Sequence, residues 1–232
     1  MMALPCDAGH MLRAAALTCP TSSVQVLATP CHCRRMADTP YRPSAGPAPD
    51  AAALQEAALE YLARYASTEA GVRRVLERRI DRWARRAAAE FDGEIIAAQA
   101  AAARAVARDV AARLVAVGAV NDTAYAENRA RNLLRAGRSR RAAAAHLAAK
   151  GVDPATARSV LPEDAQSELA AAVVLARKRR IGPFRRGAAP DEAGRRREFG
   201  VLARAGFPQS VARQALAMDP DDAEAMVIQL RR

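Results

Sequence analysis

Two stretches of this chain, Arg141 to Leu161 and Arg196 to Leu216, match each other without a gap at a constant offset. The paired positions are Arg141/Arg196, Leu147/Leu202, Ala148/Ala203, Gly151/Gly206, Ala157/Ala212, Arg158/Arg213 and Leu161/Leu216. Val152 and Phe207 add an apolar equivalence directly after the glycine. Alanine matches carry little weight in so alanine-rich a chain; the leucine, glycine and arginine matches carry the argument. Each copy reads as a helix, a glycine C-cap, one anchoring apolar residue, then a second short helix. Self-similarity at a period of roughly 50 residues marks stacked supersecondary units. Such units make surfaces for partners more often than a single catalytic pocket.

The rest of the chain from Leu54 onward carries the same helical signal. Leu54, Ala58, Tyr61, Leu62 and Tyr65 share one face at three- and four-residue steps. Ser67 or Thr68 caps a second helix that turns Val72, Val75, Leu76, Ile80 and Trp83 to a core and covers the rest with arginine. Phe91-Asp92-Gly93 interrupts it, and an alanine-rich helix follows with Ile95, Ile96, Val106, Val110, Leu114 and Val117 as its apolar set. Asn121 or Asp122, Ser139 and Asp153-Pro154 mark further helix starts, and Gly118, Gly137 and Gly151 mark helix ends. The last unit opens near Gln166, breaks at Ile181-Gly182-Pro183-Phe184 and resumes in two helices ending at Gly206 and near Leu216.

The expected fold is therefore all-α: three tandem three-helix modules in an elongated array, preceded by a disordered N-terminal segment. The expected divisions are a lead-in at 1–50, modules at 51–118 (with an alanine-rich extension), 119–163 and 164–219, and a C-terminal tail at 220–232. Strand signals are absent, since no β-branched or aromatic run alternates with period two. No stretch approaches the eighteen or so uninterrupted apolar residues of a membrane helix.

The first fifty residues differ from the rest. They hold all four cysteines (Cys6, Cys19, Cys31, Cys33) and two of the three histidines (His10, His32), and no helical period runs through them. Cys31-His32-Cys33 invites a zinc reading, but adjacent and alternate spacing suits one tetrahedral ion poorly. There is no basic n-region and no long apolar core for a secretory signal. The simplest account takes Met36 as the start, with 1–35 as upstream sequence read in frame. From Met36 on there is no cysteine, as suits a cytoplasmic protein.

The catalytic inventory is thin. GxxxxGK[ST], HExxH and spaced Cys/His pairs are all missing. His146 is the only histidine after the lead-in and reads as structural or solvent-facing. No enzyme activity, cofactor or metal is expected. The formal charge of +11 and pI of about 10.6 instead favour polyanionic partners or acidic protein surfaces. Three basic clusters stand out as candidate contacts: Arg138, Arg140 and Arg141 after Gly137; Arg177, Lys178, Arg179 and Arg180 before the Gly-Pro break, with Arg185 beyond it; and Arg195 and Arg196 in the next helix. Helix N-terminal amides beside guanidiniums suit phosphates or carboxylates. With only 4% aromatic residues, stacking on single-stranded bases is not the expected mode.

As an ordered set, several segments resemble the RecX family of RecA regulators. They are Ala58-Leu59-Glu60-Tyr61-Leu62-Ala63-Arg64-Tyr65 with Ser67 and the basic helix at 72–79, Gly118-Ala119-Val120-Asn121-Asp122 with Tyr125-Ala126, and Gly137-Arg138-Ser139-Arg140-Arg141. Lys150-Gly151-Val152, Arg177-Lys178-Arg179-Arg180-Ile181-Gly182-Pro183-Phe184 and Ala205-Gly206-Phe207 complete it. The resemblance implies tandem three-helix modules and a non-enzymatic, monomeric modulator. It would bind RecA filaments on DNA, restrain their ATPase, strand exchange and coprotease activity in DNA repair and the SOS response, and bind bare DNA weakly and without sequence preference. Two other readings stand beside it: a helical DNA-binding regulator, and a generic helical-repeat scaffold for an acidic protein partner.

Overall fold

The computed structural model describes residues 45–231, all of whose regular structure is helical. Cys6, Cys19, Cys31, Cys33, His10, His32 and Met36 lie outside the described residues, and so do the expectations placed on them. The helices are α1 (Ala51–Leu62), α2 (Glu69–Ala87), α3 (Gly93–Ala116), α4 (Asp122–Arg135), α5 (Arg140–Ala149), α6 (Pro154–Val160), α7 (Ala165–Arg179), α8 (Glu192–Arg204), α9 (Gln209–Ala217) and α10 (Pro220–Arg231). A short 3-10 turn, Gly182–Phe184, follows α7.

Side-chain caps fix most helix starts. The carboxylates of Asp50, Asp92, Asp153, Asp164 and Asp191, the amide oxygen of Asn121 and the hydroxyls of Thr68 and Ser139 each accept from an amide of the first turn. The expected glycine ends also form. Gly118, Gly137, Gly151 and Gly206 all have φ between 75 and 90°. After Gly151, the Val152 amide donates to Leu147 O at 3.1 Å; after Gly206, the Phe207 amide donates to Leu202 O at 3.2 Å. The two copies of the repeat thus end their first helices in the same Schellman geometry.

Three hydrophobic clusters succeed one another along the chain. The first joins Leu54, Val72, Leu76, Ile80, Trp83, Val110 and Leu114 from α1, α2 and α3. The second holds Ala126, Ala130 and Leu133 of α4, Leu147 of α5 and Ala157 of α6, with Val152 and Leu161 from the segments flanking α6. The third gathers Leu169, Val173, Val174, Leu202, Phe207 and Val211 with Leu134, which α4 lends to it.

Three expectations need correction. Residues 220–232 were expected as a tail, but α10 buries Ala223 and Val227 completely in the third cluster, so its Ala/Val spacing reads as a docked helix. The end of the lead-in, 45–50, is packed: Ala45 is buried and donates its amide to Glu90 Oε1 at 3.0 Å, and Trp83 Nε1 donates to Gly46 O at 3.0 Å. In α3 the large residues mislead. Ile95 and Val117 are exposed, while Ala100, Ala103, Ala107 and Ala111 line the buried face with Ile96, Val110 and Leu114. Small side chains let α3 lie close along α2, and proximity selects the alanine face over the bulkier one.

Candidate partner-binding site

The modules meet through a joint that occurs twice. Thr68, the N-cap of α2, accepts from Gly71 N at 3.0 Å and donates its hydroxyl to Lys150 O, the C-cap of α5, at 2.7 Å. Ser139, the N-cap of α5, accepts from Ala142 N at 3.2 Å and donates to Ala205 O, the C-cap of α8, at 2.6 Å. Lys150 and Ala205 are the residues just before the paired glycines of the repeat. Each joint also has a carboxylate: Asp122 Oδ1 accepts from Glu69 N at 2.9 Å, and Glu168 Oε2 from Arg140 N at 2.9 Å. Thr68 and Ser139 are the buried polar residues of the described chain, at 2% and 0% exposure, because each hydroxyl is used as both acceptor and donor. Burial pushes the Glu168 carboxyl up, against the opposing pull of the Arg140 amide and guanidinium.

The second joint decides where the candidate arginines go. Gly137 sits so close to α7 that a Cβ there would lie 2.9 Å from Leu175 N and 3.2 Å from Ala171 O. That approach brings Arg138 beside Lys178 and Arg179. With Arg204 of α8 they line a groove of about 640 Å³, floored by Gly137, Leu175, Val201 and Ala205. Lys178 Nζ donates to Ala136 O at 2.7 Å, so it stabilises the α4 end as well as charging the groove. Among the described residues no carboxylate lies within ion-pair distance of Arg138, Arg179 or Arg204.

The remaining candidates separate. Arg140 and Arg141 border a larger groove of about 960 Å³ floored by Leu161, Phe207 and Val211, but Glu163, Asp164 and Glu168 share its rim and Arg140 pairs with Glu163. Arg177 bonds Glu224 of α10 at 2.9 Å. Arg185 grips Glu198, with Nε 2.8 Å from Oε1, in a pair 26% and 14% exposed. Arg196 pairs with Glu192 along α8, and Arg195 Nη1 donates to Pro190 O at 3.0 Å. Arg180 is the left-handed C-cap of α7, at φ 55°, and is exposed. Arg204, the added member, stands where the first copy of the repeat has Ala149 and lies outside every basic run, so no local pattern marked it.

His146 is half-buried and accepts from Arg129 Nε at 2.9 Å; desolvation first, then the charges of Arg129, Lys150 and Arg138, hold it below its ordinary value and neutral. It acts as a structural acceptor. Among the described residues no group of three or more His, Cys, Asp or Glu side chains is disposed to hold a metal ion, and no helix is long and apolar enough to cross a membrane.

The Arg185–Glu198 pair also gives a pH test. Its hydrogen bond to Arg185, and to a lesser degree the Gly182 amide, hold the Glu198 carboxyl below its ordinary value of 4.5. Since the folded value lies below the unfolded one, the contribution is complete above about 4.5 and is lost as pH falls through the folded value. Glu198→Ala is expected to cost about 1.5–3 kcal/mol at neutral pH. The parent–variant gap in denaturant midpoint should close on acidification, and a gap that stays constant would refute the ion pair as its source.

Residues 121–161, which span α4 to α6, match the family model described as "RecX, second three-helix domain". "Regulatory protein RecX" of Myxococcus xanthus (strain DK1622) is 39% identical over 170 residues, covering 72% of this chain and 86% of that protein. The protein of the same name from Agrobacterium fabrum (strain C58 / ATCC 33970) is 43% identical over 108 residues, covering 47% of this chain and 57% of its own. That from Mycobacterium sp. (strain JLS) is 41% identical over 115 residues, or 46% and 60%. No solved structure matches.

Proposed function

Since the chain belongs to the RecX family, we propose that it is a non-enzymatic, monomeric regulator of the RecA recombinase in the cytoplasm. It binds the RecA filament on DNA and restrains ATP hydrolysis, strand exchange and coprotease activity. The observation that carries the site assignment is the convergence of Arg138, Lys178, Arg179 and Arg204 on one groove between α4, α7 and α8. Three guanidiniums and an ammonium around a Gly-floored cleft suit carboxylates or phosphates of a partner, and arginine offers planar two-pronged hydrogen bonding to either. Regulation here needs no chemistry by the chain itself: a bound protein that favours one filament state shifts the equilibrium by its differential affinity.

The joint supports this reading over a helix-turn-helix DNA reader. Such a reader presents the N-terminus of its second helix to base edges. In α5 that end is covered: Ser139 is buried against Ala205, and the Arg140 amide is taken by Glu168.

Replacing Arg138, Lys178, Arg179 and Arg204 together with glutamine is expected to weaken association with the RecA–DNA filament at least tenfold. Four exposed contacts of about 0.5–1 kcal/mol each account for that. Helix content should not change. Filament co-sedimentation and RecA ATPase suppression at fixed salt give the readout. Suppression equal to the parent's would overturn the site.

A further inference from the structure

The most concentrated unpaired charge lies on α2, away from the groove. Arg78, Arg79, Arg82, Arg85 and Arg86 are all exposed. They recur at one, four, seven and eight residues from the first, so they occupy one stripe of roughly 120° on a helix of 3.6 residues per turn. Among the described residues no carboxylate reaches any of the five; of the carboxylates on α2, Asp81 pairs with Arg104 of α3 at 2.7 Å and Glu77 with Arg73 at 3.9 Å. Trp83, on the same helix, is 3% exposed and tied to Gly46 O, so the stripe offers no aromatic face to stack a base. The shallow groove beside it is lined by Arg79, Arg82, Arg85 and Arg86 of the stripe with Ala45, Pro47, Pro49, Ala53 and the edge of Trp83, and holds no acidic residue.

From this geometry we infer that the outer face of α2 is a docking strip for the phosphodiester backbone of DNA, read without regard to sequence. The inference rests on the filament reading and deepens it by assigning DNA and protein to different surfaces. A folded protein partner would need a large apolar or aromatic anchor at the centre of its contact, whereas the stripe is flanked only by small Ala and Pro side chains and a Trp83 ring that is 3% exposed. A polyphosphate needs only closely spaced guanidiniums. The stripe runs about 12 Å at 1.5 Å per residue, and the duplex segment it spans carries about seven phosphates over both strands at one per about 1.7 Å, enough to partner five cations. Self-repulsion among unpaired arginines is then relieved on binding, with release of the DNA's condensed counterions.

The test uses the full chain, a mixed-sequence DNA duplex and no RecA, titrated across a range of salt. Five phosphate contacts predict a slope of log affinity against log salt near −4.5, at about 0.9 per contact. Arg79→Gln, Arg82→Gln and Arg86→Gln together should flatten it by about 2.7, while the three Arg→Lys replacements should keep most of it. The groove variant of Arg138, Lys178, Arg179 and Arg204 should leave most of the slope in place. An unchanged slope in the glutamine triple variant, or no duplex binding by the parent at low salt, would overturn the assignment whatever the filament assay shows. Loss of binding to polyglutamate with duplex binding retained would also overturn it, in favour of an acidic protein partner. The filament assay on the groove variant fails or succeeds independently.

Discussion

Gly151→Val is expected to lower the stability of the chain by about 2–5 kcal/mol and to uncouple the first module from the second. Two costs add. The residue sits at φ 85°, where an L side chain costs about 1–2 kcal/mol and a β-branched one more. A Cβ at this position would also lie 2.3 Å from the Cβ of Ala70 in α2, and overpacking of that kind costs about 1–3 kcal/mol. Domains of this size have only about 5–15 kcal/mol in hand. Because neighbouring repeats stabilise one another through their interfaces, unfolding should broaden or split into two transitions rather than shift as one. Gly206→Val should act alike at the second joint, where the new Cβ would sit 2.9 Å from the Ser139 hydroxyl. Gly118→Val is the control. Its φ is 75°, but nothing lies within 4 Å of a Cβ there, so it bears the backbone cost alone. Equal losses for Gly118→Val and Gly151→Val in calorimetry would show that the joint is loose.

The Ser139 hydroxyl gives a sharper result, because one oxygen serves two modules. Ser139→Ala removes an N-cap, worth about 1 and up to 2 kcal/mol, and leaves the Ala205 carbonyl without its donor, worth about 1–3 kcal/mol. The sum is about 2–5 kcal/mol, measured as a shift in denaturant midpoint with helix content retained at low denaturant. Ser139→Thr should restore most of it. Ser139→Asp separates the two roles: aspartate caps a helix as well as serine does, yet its carboxylate would face Ala205 O with no proton to donate. If Ser139→Asp proves as stable as the parent, the hydrogen bond across the joint contributes nothing.

The repeat made the second half of the fold readable, since the same C′ glycines and apolar anchors occur in both copies. Ser139 and Asp153 could be placed from local chemistry alone, and Thr68 and Asn121 to within one residue, because an N-cap is a property of four or five consecutive residues. What local chemistry cannot reveal is which hydroxyl is shared with a distant carbonyl. Thr68 and Lys150 are joined only by folding, and the first module lacks the sequence likeness that would have aligned Thr68 with Ser139. The candidate site divided along the same line. Clusters are visible as runs, but Arg177 and Arg185 are taken by Glu224 and Glu198 far along the chain, while Arg204 reaches the groove from another helix. In α3 the hydrophobicity of Ile95 and Val117 suggested the wrong face, since close helix approach rewards alanine.

The joint also sets how far such an array can grow. Seen as a polymer, each module offers a hydroxyl forward and a glycine-ended helix backward, a heterologous contact that would propagate if both ends kept it. Neither does. In the last module the N-cap role of Thr68 and Ser139 falls to Asp191, which is exposed, accepts from Gly194 N at 2.7 Å and has no hydroxyl to give. In the first, α2 ends at Ala88 with φ −60°, with no left-handed glycine to receive a neighbour. Within the described residues the repeat is therefore closed at both of its ends, by an alanine at one and by an aspartate at the other.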